Sequence, residues 1–203
     1  MYTDIERSMR DLRVREERLR MLIDGQHMKE LVQYVAILRM RGHEFEVPDF
    51  DPMDGGQCAK VLFLQEKPGP KTSIKRGGSG FISRNNDDAT AANCYRWLKA
   101  IGIDRQISAF WNTIPWWNGK IKFTAAEREE GLKQIPSLLE CFPELVSVVL
   151  VGKPAQRAEP IILRNRPKIN LFRSPHPSGV NHRNHADIIV EWSKVKAYLD
   201  LLD

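Results

Sequence analysis

VLFLQEKPGPKTSIKRGGSGF, residues 61–81, decides the fold. It opens with an unbroken apolar run of the kind a strand buried on both faces requires. It then breaks into prolines, glycines and cations around a single carboxylate, Glu66. In open parallel sheets ligands bind beyond the carboxyl ends of the strands, so a loop of this composition in this position is a candidate site.

The rest of the chain supplies the other parts of such a sheet. QISAFWN (106–112), LVSVVLVG (145–152) and KINLFRS (168–174) read as further strands. Between them lie a helix over 89–101 closed by Gly102, a helix opened by the capping box Thr124–Glu127 and running to about Cys141, and a final helix from about Asn184 to Leu201. Strands separated by helices, with continuous rather than alternating apolar patterns, indicate a mostly parallel α/β sheet covered on both faces. Upstream, Ile5, Met9, Leu12, Leu19 and Ile23 mark an amphipathic helix ending near Gly25, interrupted where Glu16 takes an apolar slot. A second helix over 27–41 carries Leu31, Val32, Val35, Leu38 and Met40, and EVPDFDPMDGGQ reads as a linker. The expected organisation is an N-terminal helical hairpin, residues 1–50, and an α/β domain, residues 51–203.

Of 203 residues, 42% are apolar and 28% charged, and no apolar run approaches a membrane span. The first twenty residues carry several acids and no apolar core, which argues against a secretory or transit peptide and for a cytoplasmic location. Cys58, Cys94 and Cys141 form neither a disulfide framework nor a metal knuckle. The net charge of +5 is uneven: residues 1–50 hold nine Lys and Arg against ten Asp and Glu, and the remainder 22 against 16. Two acid-free basic stretches, 67–84 and 160–186, point to a polyanionic partner.

Several chemistries are excluded. GPKTS lacks the glycine spacing of a P-loop, and no dinucleotide fingerprint is present. His176, His182 and His185 match no common zinc spacing, and no serine sits in a nucleophile elbow. SPHPSG is more informative, because two prolines stiffen the backbone around His176 and aim a donor at a developing anion.

Gln65-Glu66-Lys67-Pro68-Gly69, Asn112 after an apolar strand, and His176-Pro177-Ser178, in that order and each ending a strand, resemble the motifs of the uracil-DNA glycosylase superfamily. The first lies nearest that family's GEAPG form and the last nearest HPSP. The resemblance covers roughly residues 58–200 and implies a three-layer α/β/α fold around a central, mostly parallel four-stranded sheet. It implies Glu66 and His176 as catalytic residues, and Gln65, Lys67, Phe81, Asn112 and Ser178 around the base. Phe81 would stack on the extruded base, Asn112 would read its edge, and Val180 would take the place of the leucine wedge. Lys71, Lys75, Arg173 and Arg183 would contact phosphates. The implied partner is DNA with deaminated or abasic sites, with neither cofactor nor metal nor membrane, and with the N-terminal helices available for homodimerisation.

Three departures qualify that reading. Gln65 stands where the motif opens on glycine, Lys67 stands where the most active branches have Asp or Asn, and the cysteines of the iron–sulfur branch are missing. Lys67 could pair with Glu66 or with a phosphate, which keeps open a DNA-binding module without turnover. A small-molecule nucleoside hydrolase on the same scaffold is a third reading. Trp111, Trp116 and Trp117 could stack on unpaired bases or wall the core.

Overall fold

The computed structural model describes residues 3–42, 45–179 and 182–202. In it Val61, Leu62, Phe63 and Leu64 are all 0% exposed, at the centre of a sheet. The elements follow in the order α1 (Leu12–Asp24), α2 (Lys29–Arg39), β1 (Asp49–Phe50), β2 (Val61–Gln65), β3 (Phe81–Ile82), α3 (Ala89–Ile101), β4 (Ser108–Asn112), α4 (Ala125–Leu132), α5 (Ile135–Glu140), β5 (Ser147–Val151), α6 (Glu159–Asn165), β6 (Asn170–Ser174) and α7 (His185–Asp200). The main sheet has the order β4-β2-β5-β6 and is parallel throughout.

Register fixes what each face of the sheet carries. Phe63 lies opposite Phe110, Leu64 opposite Trp111, and Gln65 opposite Asn112. Side chains alternate along a strand, so Phe63, Gln65, Phe110 and Asn112 share one face while Leu64 and Trp111 occupy the other. On the first face Phe63 stacks on Phe110 with centroids 5.0 Å apart and meets the edge of Trp192, so α7, which packs on α3, covers it. On the second, Trp111 stacks on Phe50 at 3.7 Å and meets Tyr34 of α2, while Phe142, just beyond α5, closes on Phe50. Burying each such ring contributes about 1.5–3 kcal/mol. The result is the expected three-layer α/β/α arrangement. Trp116 and Trp117 are also buried, so the tryptophans wall the core.

The helices refine the sequence reading. The helix expected to run to Cys141 breaks into α4 and α5, because Pro136 at the start of α5 cannot continue the hydrogen-bond ladder. The segment 159–165, to which the sequence pattern assigns no element, forms α6 with Pro160 in its first turn. Gly102 ends α3 at φ 81°, the left-handed cap for which glycine is suited.

The first helix differs most. Apart from Met9, its expected apolar stripe faces solvent: Ile5 is 63% exposed, Leu12 66%, Leu19 48% and Ile23 83%. The buried face instead carries Val14 and Arg18, and Met9 and Val14 cover Phe81. Arg18 is drawn inward by Asp51, 3.2 Å away and fully buried. The second helix packs elsewhere, sending Leu31, Tyr34, Val35 and Leu38 into the same core as β2 and β4.

Candidate active site at the carboxyl end of the sheet

β2 and β4 end side by side, and their pairing continues one step into the loops. Thr113 N–H donates to the Gln65 carbonyl at 2.8 Å, and Ile114 N–H and Thr113 Oγ1 both donate to the Glu66 carbonyl at 2.9 Å. These bonds fix the Glu66 backbone at the mouth of a cavity of about 430 Å³. The Glu66 carboxylate makes no hydrogen bond among the described residues. Burial raises it above the usual carboxylate range, with Lys67 and Arg128 opposing. A half-buried, unpartnered carboxylate of this kind is available to a water or to a cationic centre.

Asn112 stands on the cavity wall, 2% exposed, with its Oδ1 lacking a hydrogen-bond partner. Asn86, 3% exposed on the same wall, donates Nδ2 to the Phe81 carbonyl at 2.8 Å and leaves its own Oδ1 without one. Unpaired buried amides cost free energy, which a ligand offering polar edges would recover.

His176 closes the opposite side. Gly152, at φ 85°, donates its N–H to the Ser174 carbonyl, and a Cβ there would come within 3.3 Å of the His176 Cβ. A side chain at 152 would therefore be strained in its backbone and crowd the imidazole. Asn93 of α3 donates to the Pro177 carbonyl at 2.9 Å, tying down the other side of the loop. Burial lowers the His176 pKa below 6.5, so the ring is neutral at neutral pH and offers one N–H. A second cavity, of about 410 Å³, adjoins the first and is lined by Gly152, Lys153, Arg173 and Asn184. Glu66 and His176 belong to both, so the two stand on their shared rim.

A sequence model of the uracil DNA glycosylase superfamily matches residues 52–202. The chain belongs to the uracil DNA glycosylase superfamily. Among solved structures, that of a mimivirus UNG variant in complex with UGI aligns over 84% of this chain and 73% of that one, at 15% identity and a TM-score of 0.43. No curated protein sequence matches the chain.

Within this superfamily member the structure brings Gln65, Glu66, Lys67, Lys71, Asn112 and His176 to one cavity. Phe81 is not on its wall. β3 alternates, so Ile82 faces the cavity and Phe81, 1% exposed, packs behind it against Met9 and Val14. The aromatic ring that does line the cavity is Phe110. Ser178 is half-exposed and lines neither cavity. Val180 lies outside the described residues.

Lys67 does not pair with Glu66. Its side chain is 4% exposed, and Nζ donates to Asn118 Oδ1 at 2.7 Å and Glu127 Oε1 at 2.6 Å. The same Glu127 oxygen accepts from Trp116 Nε1 and Asn118 Nδ2. Lys67 thus clamps the loop after β4 onto the loop after β2.

Among the basic residues, Lys71 lies 3.6 Å from Asp87, and Arg173 pairs with Glu159 through two guanidinium nitrogens. Lys75 and Arg183 are exposed and away from both cavities. The wall residues sequence reasoning missed include Asn86, Phe110 and Ile121. Asn86 had a faint signal, since an Asn-Asn pair follows the FIS segment after a single residue, Arg84.

Proposed function

We propose that the protein hydrolyses the N-glycosidic bond of uracil or another deaminated base extruded from DNA, as in base excision repair. The observation that carries this reading is the pairing of an unpartnered Glu66 carboxylate with a neutral His176 on one rim, beside the unsatisfied amide of Asn112. Extrusion costs a few kcal/mol of unstacking, which recognition in a tight pocket offsets. Asn112 reads the polar edge of the base. His176 donates its N–H to the base oxygen, where negative charge gathers as the C1′–N bond breaks and its electron pair leaves with the base. Glu66 stabilises the cationic sugar and orients the water whose oxygen bonds to C1′. The proton released from that water passes to Glu66 and on to solvent.

The reading without turnover rests on Lys67 standing where the most active branches have Asp or Asn. Its ammonium is bound to Glu127 and Asn118, which leaves the Glu66 carboxylate unpaired and supports the hydrolytic reading. The basic segments supply phosphate contacts, so affinity for DNA falls steeply with salt. Self-association, where it occurs, would use the exposed Leu12, Leu19 and Ile23 stripe of α1, and sedimentation of Leu19→Glu against wild type tests it.

The test of the function is incubation with oligonucleotides carrying uracil, hypoxanthine or xanthine, scoring strand cleavage after alkali and retained binding separately. Release of one of these bases is expected, with Asn112→Ala impaired. Binding without release from any of them contradicts the proposal.

A further inference from the structure

Ile121 combines two properties that do not normally go together. It is 77% exposed, yet it is on the wall of the base cavity. A single exposed apolar residue is unremarkable by itself. This one sits between two exposed cations, Lys120 and Lys122, for which no acidic partner exists among the described residues.

The loop that carries it is not slack. Asn118 Oδ1 accepts from Lys120 N–H, and Gly119 turns the chain at φ 82°. Asn118 is held in turn by Lys67 and Glu127, and Thr124 caps α4 by accepting from Glu127 N–H. The apolar tip is therefore fixed at both ends, and its anchor is the first-motif lysine that departs from the family pattern.

Proteins that distort duplex DNA insert apolar side chains between base steps while cations hold the flanking phosphates. We propose that Ile121 is such an insertion residue. On duplex DNA it is Ile121, rather than Val180, that enters the stack at the place the extruded nucleotide leaves, with Lys120 and Lys122 on the adjoining phosphates. This role rests on the glycosylase reading above and assigns Lys67 as the residue that positions the loop.

The experiment is single-turnover base release from uracil-, hypoxanthine- or xanthine-containing oligonucleotides, each in duplex and single-stranded form, by wild type, Ile121→Ala and Ile74→Ala. Ile74 is the matched control, being 70% exposed beside Lys75 and Arg76 but off the cavity wall. Ile121→Ala is expected to lower the duplex rate by about tenfold or more, because the vacated stack is left unfilled, while the single-strand rate stays within about twofold. Ile74→Ala is expected to match wild type on both. Equal losses on duplex and single strand, or no loss on duplex, overturn the insertion role alone. A wild-type protein that releases no base from either form overturns the glycosylase reading and the insertion role with it.

Discussion

Two segments face each other across the cavity, and they are held in opposite ways. Residues 81–88 are braced from behind by buried charge. Met9 N–H donates to the Asn85 carbonyl at 3.0 Å, and Asn85 Nδ2 donates to Asp4 and to the Ile5 carbonyl. Arg105 joins Asn85 Oδ1, Asp51 and Asp54, and Arg18 joins Asp51. Burial alone would raise the Asp51 carboxyl, but Arg105 and Arg18 hold it below its ordinary value, whereas burial pushes Asp54 up to about 6. The segment carrying His176, by contrast, hangs on a side-chain bond from Asn93, a long one of 3.5 Å between His185 Nε2 and the Ser178 carbonyl, the close approach of Gly152 and the stiffness of its prolines. The wall that shapes the pocket is rigid, and the wall that delivers the donor is lightly tethered. The brace comes largely from residues 4–51, which precede the region matched by the family model.

That contrast can be broken from the rigid side first. Arg105→Met removes the cation that Asp51 and Asp54 share, leaving each a single arginine, Arg18 and Arg84, and should destabilise the fold by about 3–5 kcal/mol, the cost of breaking a buried pair from one side. Urea denaturation measures this, and a loss under 1 kcal/mol, a value set by ordinary surface pairs, would mean the network does not brace the wall. Lys67→Met should cost somewhat less, about 3 kcal/mol, because Glu127 keeps two neutral donors. It should also slow base release more on duplex than on single-stranded DNA.

The lightly tethered side predicts a smaller stability effect and a larger kinetic one. Asn93→Ala removes one hydrogen bond and should cost about 1–2 kcal/mol, while slowing single-turnover release through a displaced His176. A change in stability with no change in rate would break the link between the tether and the donor.

The pH dependence separates the two rim residues. Glu66 is raised above 4.5 by burial and must be ionised to act, so the rate should fall as pH drops through a value above 4.5. His176 titrates below 6.5 and remains a donor when protonated, so it adds no acid limb of its own. His176→Ala should keep the acid limb and Glu66→Gln should lose it. The His176 contribution to folding stability should decline as pH falls below 6.5, because the unfolded chain takes up that proton first, while Asp54, raised to about 6, contributes in the opposite sense.

The strands were legible because continuous apolar runs have few alternative uses in a soluble chain. The first helix was not, since reading the apolar stripe as the buried face assumes that charges stay outside, and Arg18 is buried by Asp51 instead. Phe81 was misplaced for a related reason. A two-residue strand gives no pattern from which to tell its inner face, and the pairing with Asp49 and Phe50 sets it. Lys67 was visible as a departure, but its partner Glu127 lies sixty residues on, beyond any local signal. Glu66, Asn112 and His176 were legible because each closes a strand whose end the apolar pattern marks.

On the proposed function, Glu66 and His176 on the cavity rim together hydrolyse a glycosidic bond. Single-turnover release of base from an oligonucleotide carrying uracil, hypoxanthine or xanthine tests it most directly, with wild type, Glu66→Gln and His176→Ala compared at equal folded fraction. Release by wild type is expected, with a loss of about a hundredfold or more in each variant. Wild-type rates in both variants, or no release by wild type, would contradict it.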